Sequence, residues 1–110
     1  MAIEQSTGNA FVLTNNPAIL KLVDGDIVYG VAPDSWTPYG IALSDNNDKV
    51  IAVGHGADGA FVVLDAGDFT VLAGKVHSSN TLFFDVTSNT LGNWYAVGSK
   101  NNQALLTAIS

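Results

Sequence analysis

The sequence contains no cysteine and no arginine, and only 13% of its 110 residues are charged. Without cysteine the chain forms neither disulfides nor thiolate metal sites, so its stability must come from packing, hydrogen bonds or association. Four lysines stand against ten acidic residues, which gives a formal charge of −6. Because nucleic acids and anionic membranes are bound through cationic side chains, this balance argues against both as partners.

Signal-like and membrane-spanning segments are also missing. The first ten residues, Met1–Ala10, contain no basic region followed by an apolar one, as a secretory signal would require. No apolar run approaches the roughly 20 residues that a membrane-spanning helix needs. We therefore expect a chain that is made in the cytoplasm and does not insert into a membrane.

The residues that are present predict an all-β fold. Hydrophobic residues make up 47% of the chain, and eleven glycines punctuate it. Short β-branched and aromatic runs alternate with turns rich in Gly, Asn and Asp, and no long segment shows the helical apolar period of about 3.6 residues. We expect a small β-sandwich or barrel with at most short helical turns, in which residues 17–110 form one domain. Residues 1–16 are predicted to be an N-terminal arm that either frays or adds a strand to a neighbouring subunit.

One stretch occurs twice. Tyr39–Val53 reads as strand, polar turn and strand, and Tyr95–Ile109 repeats this pattern 56 positions later without a gap. Tyr39 then corresponds to Tyr95. The spacing is about half the chain, which predicts an internal two-fold repeat of one β-hairpin. Shared hairpin chemistry alone would also produce such a likeness.

The segment Gly54–Gly59 holds three glycines in six residues, which predicts a mobile or sharply turned loop. It lacks the spacing of a phosphate-binding loop, and no amphipathic helix follows it. Ser79, His77 and Asp85 are the residue types of a catalytic triad, but the sequence around Ser79 is not that of a nucleophile elbow.

Two distant histidines, His55 and His77, without cysteine do not supply the three or four ligands of a zinc site. Carboxylates cluster in two turns, Asp24–Asp26 and Asp65–Asp68, but without the spacing of an EF-hand, and Asp is common in turns. We therefore predict no metal site, no cofactor and no enzymatic activity.

The candidate functional residues are aromatic. In both halves of the chain a Trp lies just upstream of a Tyr, Trp36 before Tyr39 and Trp94 before Tyr95. Phe11 lies in the one apolar segment of the N-terminal arm. Three interpretations stay open for the Trp/Tyr pairs: core anchors, interface anchors, or a platform on which a sugar stacks. Our candidates for an interface are Phe11, Trp36, Tyr39, Trp94 and Tyr95.

A series of apolar strands and polar loops follows in a fixed order along the chain. Its segments are Asp26–Tyr29, Tyr39–Ala42, Lys49–Val53, Gly59–Leu64, Ala73–Val76, Leu82–Ser88, Tyr95–Gly98 and Ala104–Ile109. This series resembles the head decoration (capsid cement) proteins of bacteriophages. In that family a strand ending in an aromatic and an acidic residue, a polar loop, an apolar Gly-Val-Ala strand and a closing apolar strand recur in this order. The sequence departs from the pattern at two places, since Leu82–Asp85 lacks the usual preceding Gly-Asp and Tyr95–Gly98 inverts the Gly-Val-Ala order.

The resemblance implies a structural virion protein with a β-tulip-like module. Such a protein binds the major capsid protein on the outside of the phage head, commonly as a homotrimer, and stabilises the capsid lattice. A carbohydrate-binding or adhesin-like β-module, with Trp36 or Trp94 as its platform, is the alternative. A small hydrolase is a further alternative, for which the sequence offers no convincing nucleophile and base.

Overall fold

The computed structural model describes residues 2–4, 7–14, 16–89 and 93–109, apart from the side chains of residues 75–79. All of its regular structure is β, as predicted, and none of the described residues forms a helix long and apolar enough to cross a membrane. The strands are β1 Ala2–Ile3, β2 Ala10–Thr14, β3 Ala18–Val23, β4 Asp26–Val31, β5 Trp36–Leu43, β6 Lys49–Gly56, β7 Asp58–Asp65, β8 Val71–Ser79, β9 Thr81–Ser88, β10 Trp94–Lys100 and β11 Gln103–Ile109.

These strands form three antiparallel sheets, each a meander in which a strand pairs with its neighbour in the chain. Sheet 1 contains β1 to β4, sheet 2 contains β5 to β8, and sheet 3 contains β9 to β11. Tight turns join the strands where the sequence predicts them. For example, Asp24 and Gly25 both adopt positive φ between β3 and β4, and so do Asn101 and Asn102 between β10 and β11. Such two-residue turns match the twist of the flanking strands.

Sheet 2 lies between the other two sheets. Four successive residues of β6, Val50–Val53, are buried because alternate side chains pack on opposite neighbours. Ile51 and Val53 belong to the core shared with sheet 3, whereas Val50 and Ala52 belong to the core shared with sheet 1. The arrangement therefore has three layers of sheet.

The predicted N-terminal arm is part of sheet 1. Both β1 and β2 lie within residues 1–16, and β2 pairs with β3 along its whole length from Ala10↔Leu22 to Thr14↔Ala18. Phe11 has no exposed surface and stacks on Phe69, with 6.0 Å between the ring centroids. Within this chain the segment contributes to the core instead of reaching outwards.

Of the two alternatives predicted for Gly54–Gly59, a mobile or a sharply turned loop, the structure shows a sharp turn, which is confined to Ala57. Strand β6 runs to Gly56, and β7 begins at Asp58. A Cβ atom on Gly54 would collide with the backbone carbonyl of Thr37 in the paired strand. Gly54 and Gly56 are needed because the backbone of the paired strand approaches them closely, which is the second common role of glycine in a strand.

The two segments of the predicted repeat both form hairpins, but the hairpins are not equivalent. The first joins β5 and β6, the first two strands of sheet 2, whereas the second joins β10 and β11, the last two strands of sheet 3. The strand equivalent to β5 is β9, which begins 45 residues later. The repeating unit is therefore a whole sheet, and Tyr39 does not correspond to Tyr95.

Candidate functional site

Two aromatic side chains protrude where the first strands of sheets 2 and 3 meet. Tyr39 in β5 is the additional residue of a β-bulge, and Phe84 occupies the same place in β9. A bulge bends its strand and redirects a side chain. The exposed fraction is 52% for Tyr39 and 50% for Phe84, although each lies in the middle of a strand.

Glycine makes this geometry possible in both sheets. Gly54 pairs with Pro38 beside the first bulge, and Gly98 pairs with Phe83 beside the second. The two bulges are also in contact, since a Cβ atom on Gly40 would lie only 2.6 Å from the Cα atom of Asp85. The backbones of β5 and β9 thus meet directly and bring the two aromatic rings to one place.

His55 of β6 lies between the two rings. Its imidazole is 4.7 Å from the ring of Tyr39, with 31° between the planes, and 5.4 Å from the ring of Phe84 in an edge-to-face arrangement at 88°. We call Tyr39, His55 and Phe84 the aromatic cluster. Because all three side chains come from strands, the cluster is held more rigidly than a loop would hold it.

The hydrogen bonding of His55 defines what the cluster offers to a partner. The Nδ1 atom lies 3.2 Å from the carbonyl oxygen of Phe83. A carbonyl oxygen only accepts, so Nδ1 carries the proton and donates, and in the neutral ring Nε2 is an acceptor. The cluster therefore presents aromatic surface together with a phenol hydroxyl and an imidazole acceptor.

A second candidate is an apolar cleft of about 330 Å³ beside the connection from β4 to β5. Trp36 and Asp34, which carry an indole ring and a carboxylate, both line this cleft. The volume lies at the small end of the range for ligand pockets, about 300–1,000 Å³. Its lining residues are Val31, Pro33, Asp34, Trp36, Phe61, Val62 and Gly74.

No protein-family model and no curated protein matches this chain. Among solved structures, the chain is similar to the β-propeller domain of Cps50 (Swd1) from Myceliophteria thermophila. The TM-score is 0.69 and the sequence identity 6%, and the match covers 97% of this chain and 36% of that chain. The three sheets formed by the described residues of this chain are stacked like the blades of a propeller. At this identity the similarity concerns the fold alone, and this chain spans little more than a third of the length of that structure.

The 45-residue offset between β5 and β9 agrees with this fold. One large class of propellers repeats a four-stranded blade every ~40–45 residues. Sheets 1 and 2 each have four strands, and sheet 3 has three within the described residues. Each sheet is therefore one blade.

The five residues that the sequence predicts for an interface lie at different places in the three sheets. Within one copy of the chain, Phe11 and Trp94 are buried in the cores on either side of sheet 2. Trp36 lines the cleft and Tyr39 belongs to the aromatic cluster. Tyr95 is half-buried and pairs with Ala108 on sheet 3.

The carboxylates of the acidic turn Asp65–Asp68 accept local hydrogen bonds. Asp65 accepts from the backbone N–H of Gly67 at 2.7 Å, and Asp68 accepts from that of Thr70 at 3.0 Å, which lowers the pKa of the Asp68 carboxyl. Over the described part of the chain, no three His, Cys, Asp or Glu side chains come together as metal ligands would. The side chains of His77 and Ser79, from the triad drawn above, lie outside the described residues.

Sequence reasoning missed two members of the aromatic cluster. His55 and Phe84 are absent from the five residues that the sequence predicts for an interface. The signal in the sequence is the spacing of 45 residues, which aligns Phe84 with Tyr39. In addition, each aromatic residue is followed by a glycine on the paired strand: Gly54 follows Tyr39 by 15 residues, and Gly98 follows Phe84 by 14.

Proposed function

We propose that this chain is a structural protein that binds another protein through the aromatic cluster. Following the resemblance described above, the proposed partner is the major capsid protein on the outer surface of a bacteriophage head, and the proposed location is the virion. The observation that supports a binding role is the pair of half-exposed rings, Tyr39 and Phe84, held on strands around His55. The resemblance supports the choice of partner.

Exposed aromatic side chains on a rigid scaffold suit this role energetically. Interface hot spots are enriched in Trp, Tyr and Arg, because a large ring buries much surface at a small cost in rotamer entropy. The cluster loses little conformational freedom on binding, since Tyr39 and Phe84 already contact His55 in the free chain. Many copies on one lattice would then multiply a modest affinity of each copy.

The first prediction concerns binding to expanded phage heads that lack a decoration protein. We expect the chain to sediment with the heads and to raise the temperature at which they release DNA. Tyr39→Ala and Phe84→Ala should each weaken binding by about tenfold, because truncating a hot-spot ring costs more than 1 kcal/mol. The measurement is a binding isotherm from the pelleted fraction at a series of chain concentrations.

Val71→Ala is the matched control for this experiment. Val71 is an exposed apolar residue on β8, and β8 lies at the opposite edge of sheet 2 from β5, the strand that carries Tyr39. This variant should bind as the unaltered chain does. Absence of sedimentation with the heads, together with an unchanged temperature of DNA release, would contradict the proposed partner.

The cleft at Trp36 supports a second candidate, carbohydrate binding. An indole face can stack on the C–H face of a sugar ring, and a neighbouring carboxylate can accept hydrogen bonds from sugar hydroxyls. Trp36 and Asp34 provide these two groups in one cleft.

We expect this candidate to show saturable binding on a glycan array that Trp36→Ala abolishes and Tyr39→Ala leaves unchanged. The difference between the two variants separates the cleft from the aromatic cluster. An array on which the unaltered chain binds no glycan above background would remove the candidate.

A further inference from the structure

We propose that two copies of this chain associate end to end, with sheet 1 of each copy packed on sheet 3 of the other, so that six blades close one ring. This inference does not depend on the proposed partner, because it concerns the outer faces of the two end sheets and not the aromatic cluster. It rests on the composition of those faces and on the number of sheets in one copy.

Sheet 3 has one covered face and one open face. Trp94, Ala96 and Ile109 pack on sheet 2, so the residues that alternate with them in β10 and β11 point away from it. Val97 and Leu106 are directly paired there, and the exposed fraction of Leu106 is 69%. The outward set consists of Tyr95, Val97, Ser99, Ala104, Leu106 and Ala108.

Sheet 1 likewise has one face covered by sheet 2 and one open face, which is turned away from sheet 2. Phe11 and Ile19 pack towards sheet 2, and the residues that alternate with them in β2 and β3 point outwards. Leu22 pairs with Ile27, whose exposed fraction is 64%. The outward set includes Ile3, Val12, Leu20, Leu22 and Ile27.

No residue of either outward set is charged, although the chain has a formal charge of −6, and the carboxylate next to the sheet 3 set in the ladder is that of Asp85 in β9, which pairs with Val97. The centre of a protein interface is similarly depleted of charge, and a large contiguous apolar patch on a surface marks an interaction site. The chain itself shows what covers such a face, because sheet 2 covers the inner faces of sheets 1 and 3 with apolar side chains. A further β-sheet of the same kind is thus the matching partner.

The number of sheets selects a second copy and fixes the stoichiometry. Propellers typically close with about four to eight blades. The described residues of one 110-residue chain form three sheets. Two such chains supply six sheets, which lies inside that range, and three would supply nine, which lies outside it. Two head-to-tail contacts related by a two-fold axis close this ring. The homotrimer expected from the resemblance does not satisfy the same closure.

The experiment measures the mass of the 110-residue chain by sedimentation equilibrium. We expect a species with twice the chain mass of 11.4 kDa. A monomer at every concentration tested would overturn the proposal, and so would a trimer.

Two substitutions test which faces meet. Ile27→Lys and Leu106→Glu place a charge on the outer face of sheet 1 and of sheet 3 respectively, at positions that are exposed within one copy. Each variant alone should be monomeric and should keep the far-ultraviolet circular dichroism of a β-protein. Val71→Lys, on the exposed surface of β8, is the matched control and should remain dimeric.

Mixing the two variants gives the decisive result. A heterodimer of the Ile27→Lys and Leu106→Glu variants has two contacts between sheets. One contact is unaltered, and in the other the introduced lysine on sheet 1 faces the introduced glutamate on sheet 3. The mixture should therefore recover the dimer that each variant lacks. A dimer formed by Leu106→Glu alone would show that sheet 1 packs on sheet 1, and a mixture that stays monomeric would show that the contact is not head-to-tail; both results overturn the ring.

Discussion

Replacing Gly98 with alanine is expected to lower the free energy of unfolding by about 3 kcal/mol, the upper part of the usual range for overpacking. The new Cβ atom would collide with the carbonyl oxygen of Leu82 and lie 2.8 Å from its carbonyl carbon and 3.0 Å from the Cα atom of Phe83. These are backbone atoms of the paired strand β9, so no side chain can rotate to make room. The change should appear as a lower midpoint in urea unfolding.

Gly74→Ala is the matched control, because Gly74 is also a strand glycine. Its Cβ atom would lie 3.5 Å from the carbonyl oxygen of Phe61, an ordinary van der Waals contact. This variant should change the free energy of unfolding by less than about 0.5 kcal/mol. Equal effects at the two positions would contradict the steric explanation and would indicate a general cost of alanine in these strands.

The second large effect is expected at Lys21, which is only 8% exposed. Its Nζ atom donates hydrogen bonds to the carbonyl oxygens of Ala66, at 2.6 Å, and Gly67, at 3.0 Å. The same ammonium group lies 5.8 Å from the ring centroid of Phe11 and 5.9 Å from that of Tyr29. This side chain therefore attaches the turn between β7 and β8 to sheet 1.

Lys21→Met should lower the free energy of unfolding by about 2 kcal/mol, because two carbonyl oxygens lose a charged donor while the aliphatic packing is kept. Lys49→Met is the control, since Lys49 is exposed and forms a 3.6 Å ion pair with Asp48 on the surface. An exposed pair of this kind contributes less than about 1 kcal/mol. The measurement is again urea unfolding, and similar losses for the two variants would contradict the role of Lys21 as an attachment between sheets.

The strands and turns could largely be predicted from local sequence, because each depends on residues that are close together in the chain. Asp24-Gly25 marks a turn by composition, and Ala60–Asp65 reads as a strand buried on both faces, as it is in sheet 2. Trp36–Pro38 contains a proline, which is typical of a loop, yet it belongs to β5. Proline is accepted there because β5 is the edge strand of sheet 2, where one side of the backbone needs no partner.

The grouping of strands into sheets and the aromatic cluster could not be predicted in the same way. Alternation of side chains gives no information on which strand begins a new sheet, so the 56-residue likeness between two hairpins hid the 45-residue repeat of whole sheets. Gly54 and Gly98 were ambiguous for a similar reason. A glycine that permits close backbone contact cannot be told from one that permits a turn until the partner strand is known.

The meander arrangement has a consequence for how this chain folds. Every described strand pair joins strands that are consecutive in the chain, so each hydrogen-bonded ladder closes only a short loop. Proteins dominated by such local pairings have a low contact order for their class and fold quickly compared with Greek-key sandwiches. Only the stacking of one sheet on the next requires contacts between distant residues. A sheet could thus be gained or lost in evolution without rearranging the hydrogen bonds of the others, as in other repeat proteins.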